Sequence, residues 1–135
     1  MVENLKCLYR ISVKTLILDE TKTKFLLFKW TDGMRDFPGW WLNFWEDIYE
    51  CIIREIKEES WLEVTWIASF PTHVMSAEKS NPQHQVVYVV YEAKLKNMDF
   101  VPSEECQEMR FFTREEAEKI AIYSNVKEFL ELGVI

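Results

Sequence analysis

The sequence predicts an α/β fold in which helices pack on a mixed β-sheet. Three observations carry this expectation. "LYRISVKTLILDE", "KFLLFKW" and "HQVVYVVYEAKL" are rich in β-branched and aromatic residues, as strands are. Residues 46 to 60 instead repeat apolar side chains at helical spacing. The order is strands, helix, strands, helix, which suits a sheet covered by helices.

Taken in order, "LYRISVKTLILDE" and "KFLLFKW" read as two strands joined by a short polar turn at "TKT". "TDGMRDFPG" reads as a loop, punctuated by Gly33, Pro38 and Gly39. The helix over 46 to 60 places Ile48, Tyr49, Ile52, Ile53 and Ile56 along one face. "LEVTWIASFPTHVM" reads as one or two strands interrupted at Pro71, and "SAEKSNPQ" as a polar loop. "HQVVYVVYEAKL" is apolar on both faces, so a central strand is expected there. "KNMDFVPSEECQ" reads as a loop and "EMRFF" as a short strand. Thr113 and Glu116 form a capping-box pattern at the start of the helix "REEAEKIAI". Ser124 is the expected cap of a last helix, "NVKEFLEL", stopped by Gly133.

The chain of 135 residues suits one domain, 1–135, and no linker or repeat divides it. With 48% hydrophobic residues it has the material for a core. A net charge of -7 argues against a nucleic-acid polymer as partner. A small anionic substrate is compatible with that charge if a bound cation inverts the local field. Cys7, Cys51 and Cys106 are odd in number and lack metal-site spacing, so reduced thiols and a cytoplasmic location are expected. The N-terminus lacks a signal-peptide pattern. The longest apolar run, "VVYVVY", is too short to span a bilayer, so no membrane partner is expected. The apolar strands are compatible with a homodimer.

The chemistry concentrates in "PGWWLNFWEDIYECIIREIKEESWLEV", Pro38 to Val64. At about 100° per residue, Glu55, Glu58 and Glu59 fall within a sector of about 100° that meets the edge of the Ile48–Ile52–Ile56 face. Like charges at this spacing repel by about 0.2–0.5 kcal/mol per pair, and more when partly buried. A divalent cation would reverse the sign, and Mg²⁺ or Mn²⁺ prefers such oxygen ligands. Arg54 projects toward Glu50 and Glu58, and Glu46 lies at the helix start, where the macrodipole favours an anion. Taken alone, "REIKEE" reads first as a solvated acidic face, and the rest of the segment is what shifts the reading.

The spacing resembles the Nudix box: Gly, five residues, Glu, seven residues, Arg-Glu, aliphatic, any, Glu-Glu, any, Gly, aliphatic. Glu46, Arg54, Glu55, Glu58 and Glu59 match its charged positions, and Ile56 and Leu62 its aliphatic ones. "DFPG" before the box and "EECQEMRFFTREEA" after it are similar to the family's flanking segments. The resemblance implies a Nudix-like α/β/α sandwich with a mixed sheet. It also implies a pyrophosphohydrolase that uses Mg²⁺ or Mn²⁺ to cleave a nucleoside diphosphate linked to another moiety. Glu58 and Glu59 would be the main metal ligands, and Glu55 a ligand or the general base for the attacking water. Arg54 would orient a carboxylate. Glu105 would supply the extra acidic group some members use, with Glu104 or Glu108 as alternatives. The backbone carbonyl of Trp40 would contact the metal. Arg35 and Glu46 are the candidates for substrate contact.

The chain departs from the pattern at glycine positions. Trp40 and Trp61 replace the first and last box Gly, and Trp45 precedes Glu46 where many members have another Gly. Position 61 should be left-handed, where a non-Gly residue costs about 1 kcal/mol. Trp45 would crowd the helix start, and the Trp40 indole would intrude on the loop. The alternative reading is therefore an impaired Nudix-like module that binds a nucleotide or a protein without hydrolysis.

Among other residues, Trp30, Phe37 and Tyr88 are candidates to stack on a base, with core packing the competing role of Phe37 and Tyr88. His84 reads as a strand-edge residue, and His73 as that or a pocket residue. Cys51 reads as packing, since no His or second Cys is placed to activate it. Loops 76–83 and 97–107 are where specificity is expected.

Overall fold

The computed structural model describes residues 8–76 and 85–133. Its strands are β1 (Tyr9–Leu16), β2 (Phe25–Trp30), β3 (Arg35–Asp36), β4 (Gly39–Trp41), β5 (Val64–Ile67), β6 (His73–Ser76), β7 (Gln85–Leu95) and β8 (Cys106–Phe112). Its helices are α1 (Ile48–Ser60), α2 (Arg114–Glu118) and α3 (Ser124–Glu131).

The sheet is mixed, as expected. β1 pairs in parallel with β7 and antiparallel with β4. On the far edge of β7 lie β6 and then β5, both antiparallel. The apolar strand β7 is thus central, flanked on both edges. β3, β2 and β8 form a second, antiparallel sheet.

The two strands joined by the turn at 21–23 therefore enter different sheets. Their backbones pair just past the end of β1, where the Leu26 N–H donates to the Ile17 carbonyl at 2.9 Å and the Asp19 N–H to the Lys24 carbonyl at 3.0 Å. The loop "TDGMRDFPG" is more ordered than its composition suggests. Arg35 and Asp36 pair with β2, and Gly39 pairs with Lys14 on β1. Gly39 has φ 120°, and a Cβ there would come within 2.1 Å of the Val13 carbonyl oxygen. Only glycine permits that approach.

Each residue of Phe25–Phe28 is fully buried, but on alternate faces. Phe25 and Leu27 join Phe37, Val126, Phe129 and Leu130 in one cluster, under α2 and α3. Leu26 and Phe28 join Ile52, Ile56 and Leu62 in another, under α1. The result is the α/β/α sandwich.

Helix boundaries differ from the sequence expectation. α1 begins at Ile48 instead of residue 46, and Asp47 caps it, accepting from the Glu50 N–H at 2.8 Å. Tyr49 and Ile53 are half exposed, while Glu55 and Glu59 are buried, so the inward face is rotated toward the carboxylates. The capping box at Thr113 and Glu116 forms on both sides. α2 stops early because the following segment bonds β3 instead, the Arg35 N–H donating to the Ala121 carbonyl at 3.0 Å. Ser124 lies inside α3, whose cap position is Tyr123 and makes no side-chain capping bond. Among the described residues, no helix is long and apolar enough to cross a membrane.

Candidate active site

The C-terminal half of α1, the strand β4 and two loops enclose a cleft of about 400 Å³. Glu55, Glu58, Glu59 and Glu105 line it, with Trp30, Trp40 and Tyr123. The helix supplies the first three because its buried face ends in charge. Glu59 is 1% exposed, and Glu55 is also buried, whereas the Glu58 side chain is 57% exposed. Glu105 arrives on a loop pinned to that helix: Ser103 Oγ donates to the Glu59 carbonyl at 3.0 Å, and Val101 N–H to the Ser60 carbonyl at 3.3 Å.

Arg54 organises the carboxylates. Its Nε and Nη2 donate to the two oxygens of Glu46 at 2.6 and 2.8 Å, and its Nη1 to Glu55 at 2.8 Å and Glu58 at 3.3 Å. Such a fork is geometrically specific and charge-assisted. It holds the Glu46 carboxyl down at about 2. Of the neighbours expected for Arg54, Glu58 is bonded, while Glu50 interacts with Asp47 instead.

Burial pushes the carboxyls of Glu55 and Glu59 upward, Glu59 well above the usual range. The two carboxyls also act on each other, and Arg54 and Lys14 oppose the rise at Glu55 and Glu59 respectively. The donor set is all oxygen, negatively charged and short of cations, which suits a hard divalent ion. As placed, no three acidic, His or Cys side chains among the described residues form a ready metal cage. Glu55 and Glu58 are bonded to the Arg54 guanidinium.

A sequence model of the NUDIX domain matches residues 8–132. The chain belongs to the NUDIX family. It is a Nudix-type pyrophosphohydrolase, acting on pyrophosphate bonds. It is 28% identical over 121 residues to the mouse bis(5'-nucleosyl)-tetraphosphatase (asymmetrical), covering 86% of this chain and 82% of that protein. Its fold is similar to a MutT protein from Methanosarcina mazei Go1, with a TM-score of 0.74, 25% identity, and 95% and 94% of the two chains covered. It is also similar to a MutT Nudix hydrolase from Burkholderia pseudomallei, with a TM-score of 0.76, 18% identity, and 91% and 96% covered.

Trp40, Trp45 and Trp61, which were expected to disturb the site, each have a place in the fold. Trp61 does adopt the left-handed conformation, φ 65°, and its N–H caps the helix at the Lys57 carbonyl, 2.9 Å away. Trp45 is 85% exposed, so it does not crowd the helix start as expected. The Trp40 ring borders the cleft, and its carbonyl accepts from Ser12 Oγ at 3.3 Å.

Other expected residues stand apart from the cleft. The Arg35 guanidinium bonds Glu108 at 2.7 Å and stacks on Phe112, so neither Arg35 nor Glu108 lines the cleft. Glu46 also lies outside the lining, occupied by Arg54. Phe37 is core and Tyr88 packs against the same cluster. His73 lies edge-on to Phe129, not in the cleft. Cys51 and Cys106 are buried free thiols, pushed up to about 12 chiefly by burial. His84, Cys7 and residues 77–83 of the expected specificity loop lie outside the described residues.

Sequence reasoning missed a buried polar group behind the cleft. Lys14, fully buried on β1, bonds Asp36 at 2.8 Å and the Gly39 carbonyl at 3.2 Å, and Asn125 of α3 completes Asp36 at 2.9 Å. The available signal was a Lys inside a strand that is apolar on both sides, which demands a partner. The bond between Tyr123 Oη and Asp32 at the cleft wall had no signal in the sequence.

Proposed function

We propose that the protein is a divalent-metal-dependent hydrolase that cleaves the pyrophosphate bond of a nucleoside diphosphate linked to another moiety. The observation that carries this reading is the gathering of Glu55, Glu58, Glu59 and Glu105 in one cleft, two of them buried. Burying like charges side by side is costly unless a cation compensates.

Glu58 and Glu59 would hold Mg²⁺ or Mn²⁺, with Glu55 beside them. When bound, the ion offsets phosphate charge and lowers the pKa of water. Water attacks one phosphorus, the bridging P–O bond breaks, and two phosphate products leave. Glu55 or Glu105 takes the water proton. Arg54 keeps Glu55 oriented through its anchor on Glu46. Trp30 and Trp40 offer aromatic faces to the moiety attached to the phosphates.

The name of the mouse relative makes dinucleoside polyphosphates the first substrates to try. The test is product analysis across dinucleoside polyphosphates, nucleoside triphosphates, nucleotide sugars and dinucleotide cofactors, in Mg²⁺ and in EDTA. Mg²⁺-dependent release of two phosphorylated products is expected. Ligand-induced stabilisation that ignores Mg²⁺ and yields no product would favour the binding-module reading.

A further inference from the structure

We infer that Lys14 is a positioning residue of the carboxylate site, a built-in counter-cation that faces Glu59 across Gly39 and competes with the bound metal. This rests on the metal-dependent reading above.

A fully buried lysine in mid-strand is expensive, and an apolar side chain of its length would fill the same space without desolvation. Its arrangement is directional. Lys14 stands opposite Gly39 in the β1–β4 register. Its Nζ donates to the Gly39 carbonyl at 3.2 Å, while the Gly39 N–H donates to Glu59 Oε2 at 3.4 Å. One glycine therefore links the ammonium to the most buried carboxylate of the cleft. The Nζ also lies 4.8 Å from the centroid of the Trp40 ring, which borders that cleft.

The negative end of the pair is turned away. Asp36 Oδ1 accepts from the Phe37 N–H at 2.8 Å and from Asn125 Nδ2 of α3 at 2.9 Å. The ion pair is thus a fixed dipole with its positive end toward Glu59. Without a metal, Lys14 supplies part of the missing positive charge. With a metal bound, the two cations repel.

The test compares Asp36→Asn with Lys14→Met/Asp36→Asn in the full chain, so that no buried carboxylate is left unpaired. Mg²⁺ binding is measured by calorimetry on metal-free protein, and Tm is recorded in EDTA and in saturating Mg²⁺. Loss of Lys14 is expected to tighten Mg²⁺ binding roughly fivefold and to enlarge the Mg²⁺-induced rise in Tm. Equal Mg²⁺ affinities, or weaker binding without Lys14, would overturn the inference while leaving the metal-dependent reading intact. A wild-type protein that binds no Mg²⁺ would overturn both. If the double variant is unfolded in EDTA, Mg²⁺ must refold it, and a chain that stays unfolded in saturating Mg²⁺ contradicts the inference.

Discussion

Arg54 grips Glu46 through two parallel hydrogen bonds, Nε to Oε2 at 2.6 Å and Nη2 to Oε1 at 2.8 Å, from eight residues away. The grip lies on the flank of the cleft and fixes the guanidinium that also reaches Glu55 and Glu58. Arg54→Lys keeps the charge but cannot reproduce the fork. Turnover is expected to fall by at least about tenfold, because a loosened carboxylate loses its alignment. Steady-state kinetics beside a thermal melt would check this, with the fall in activity exceeding what lost stability explains.

The same grip sets an acid limit. The folded Glu46 carboxyl sits at about 2, below its ordinary 4.5. A lowered carboxylate contributes stability that is present above the ordinary value and lost as pH falls through the folded one. Wild-type protein is therefore expected to lose stability between about pH 4.5 and pH 2 from this group. Glu46→Gln should be less stable at pH 7 and show a shallower acid loss. Urea denaturation at a series of pH values reads both slopes.

Trp61 holds φ 65° at the end of α1 and is 64% exposed. Its side chain contributes little packing, and its backbone is strained. Trp61→Gly is expected to stabilise the protein by about 1 kcal/mol, read as a higher urea midpoint at unchanged slope. A loss of stability would mean the indole packs more strongly than its exposure implies.

Glu59 is expected to trade stability for function. It is 1% exposed and its carboxyl is pushed well up by burial. Glu59→Gln removes a charge the fold disfavours, so Tm in EDTA is expected to rise. The Mg²⁺-induced stabilisation and turnover should both nearly vanish. Paired melts in EDTA and Mg²⁺ decide it, and a lowered metal-free Tm would count against the trade.

Much of this was legible in the sequence. The spacing of Glu55, Glu58 and Glu59 placed all three on the cleft, because helical periodicity is a local property. The Thr113–Glu116 box was equally local and equally readable. Arg35 was not, since its partner Glu108 lies 73 residues away on another strand. The partners of Lys14 were hidden for the same reason: Asp36 and Gly39 meet it, and Asn125 meets Asp36, only once β1, β3, β4 and α3 are assembled. The inward turn of α1 followed the sheet beneath it, which its own sequence does not encode. Trp45 was misjudged because the loop turns its ring into solvent, 85% exposed.

The most direct test is turnover of the best pyrophosphate substrate by wild-type protein and by Glu58→Gln in saturating Mg²⁺. The Glu58 side chain is 57% exposed, so the change should leave folding intact. A live carboxylate site predicts Mg²⁺-dependent hydrolysis in the wild type and a fall of at least about a hundredfold in the variant, at unchanged Tm. Equal turnover in the two proteins, or none in a wild type that is folded and binds Mg²⁺, would contradict it.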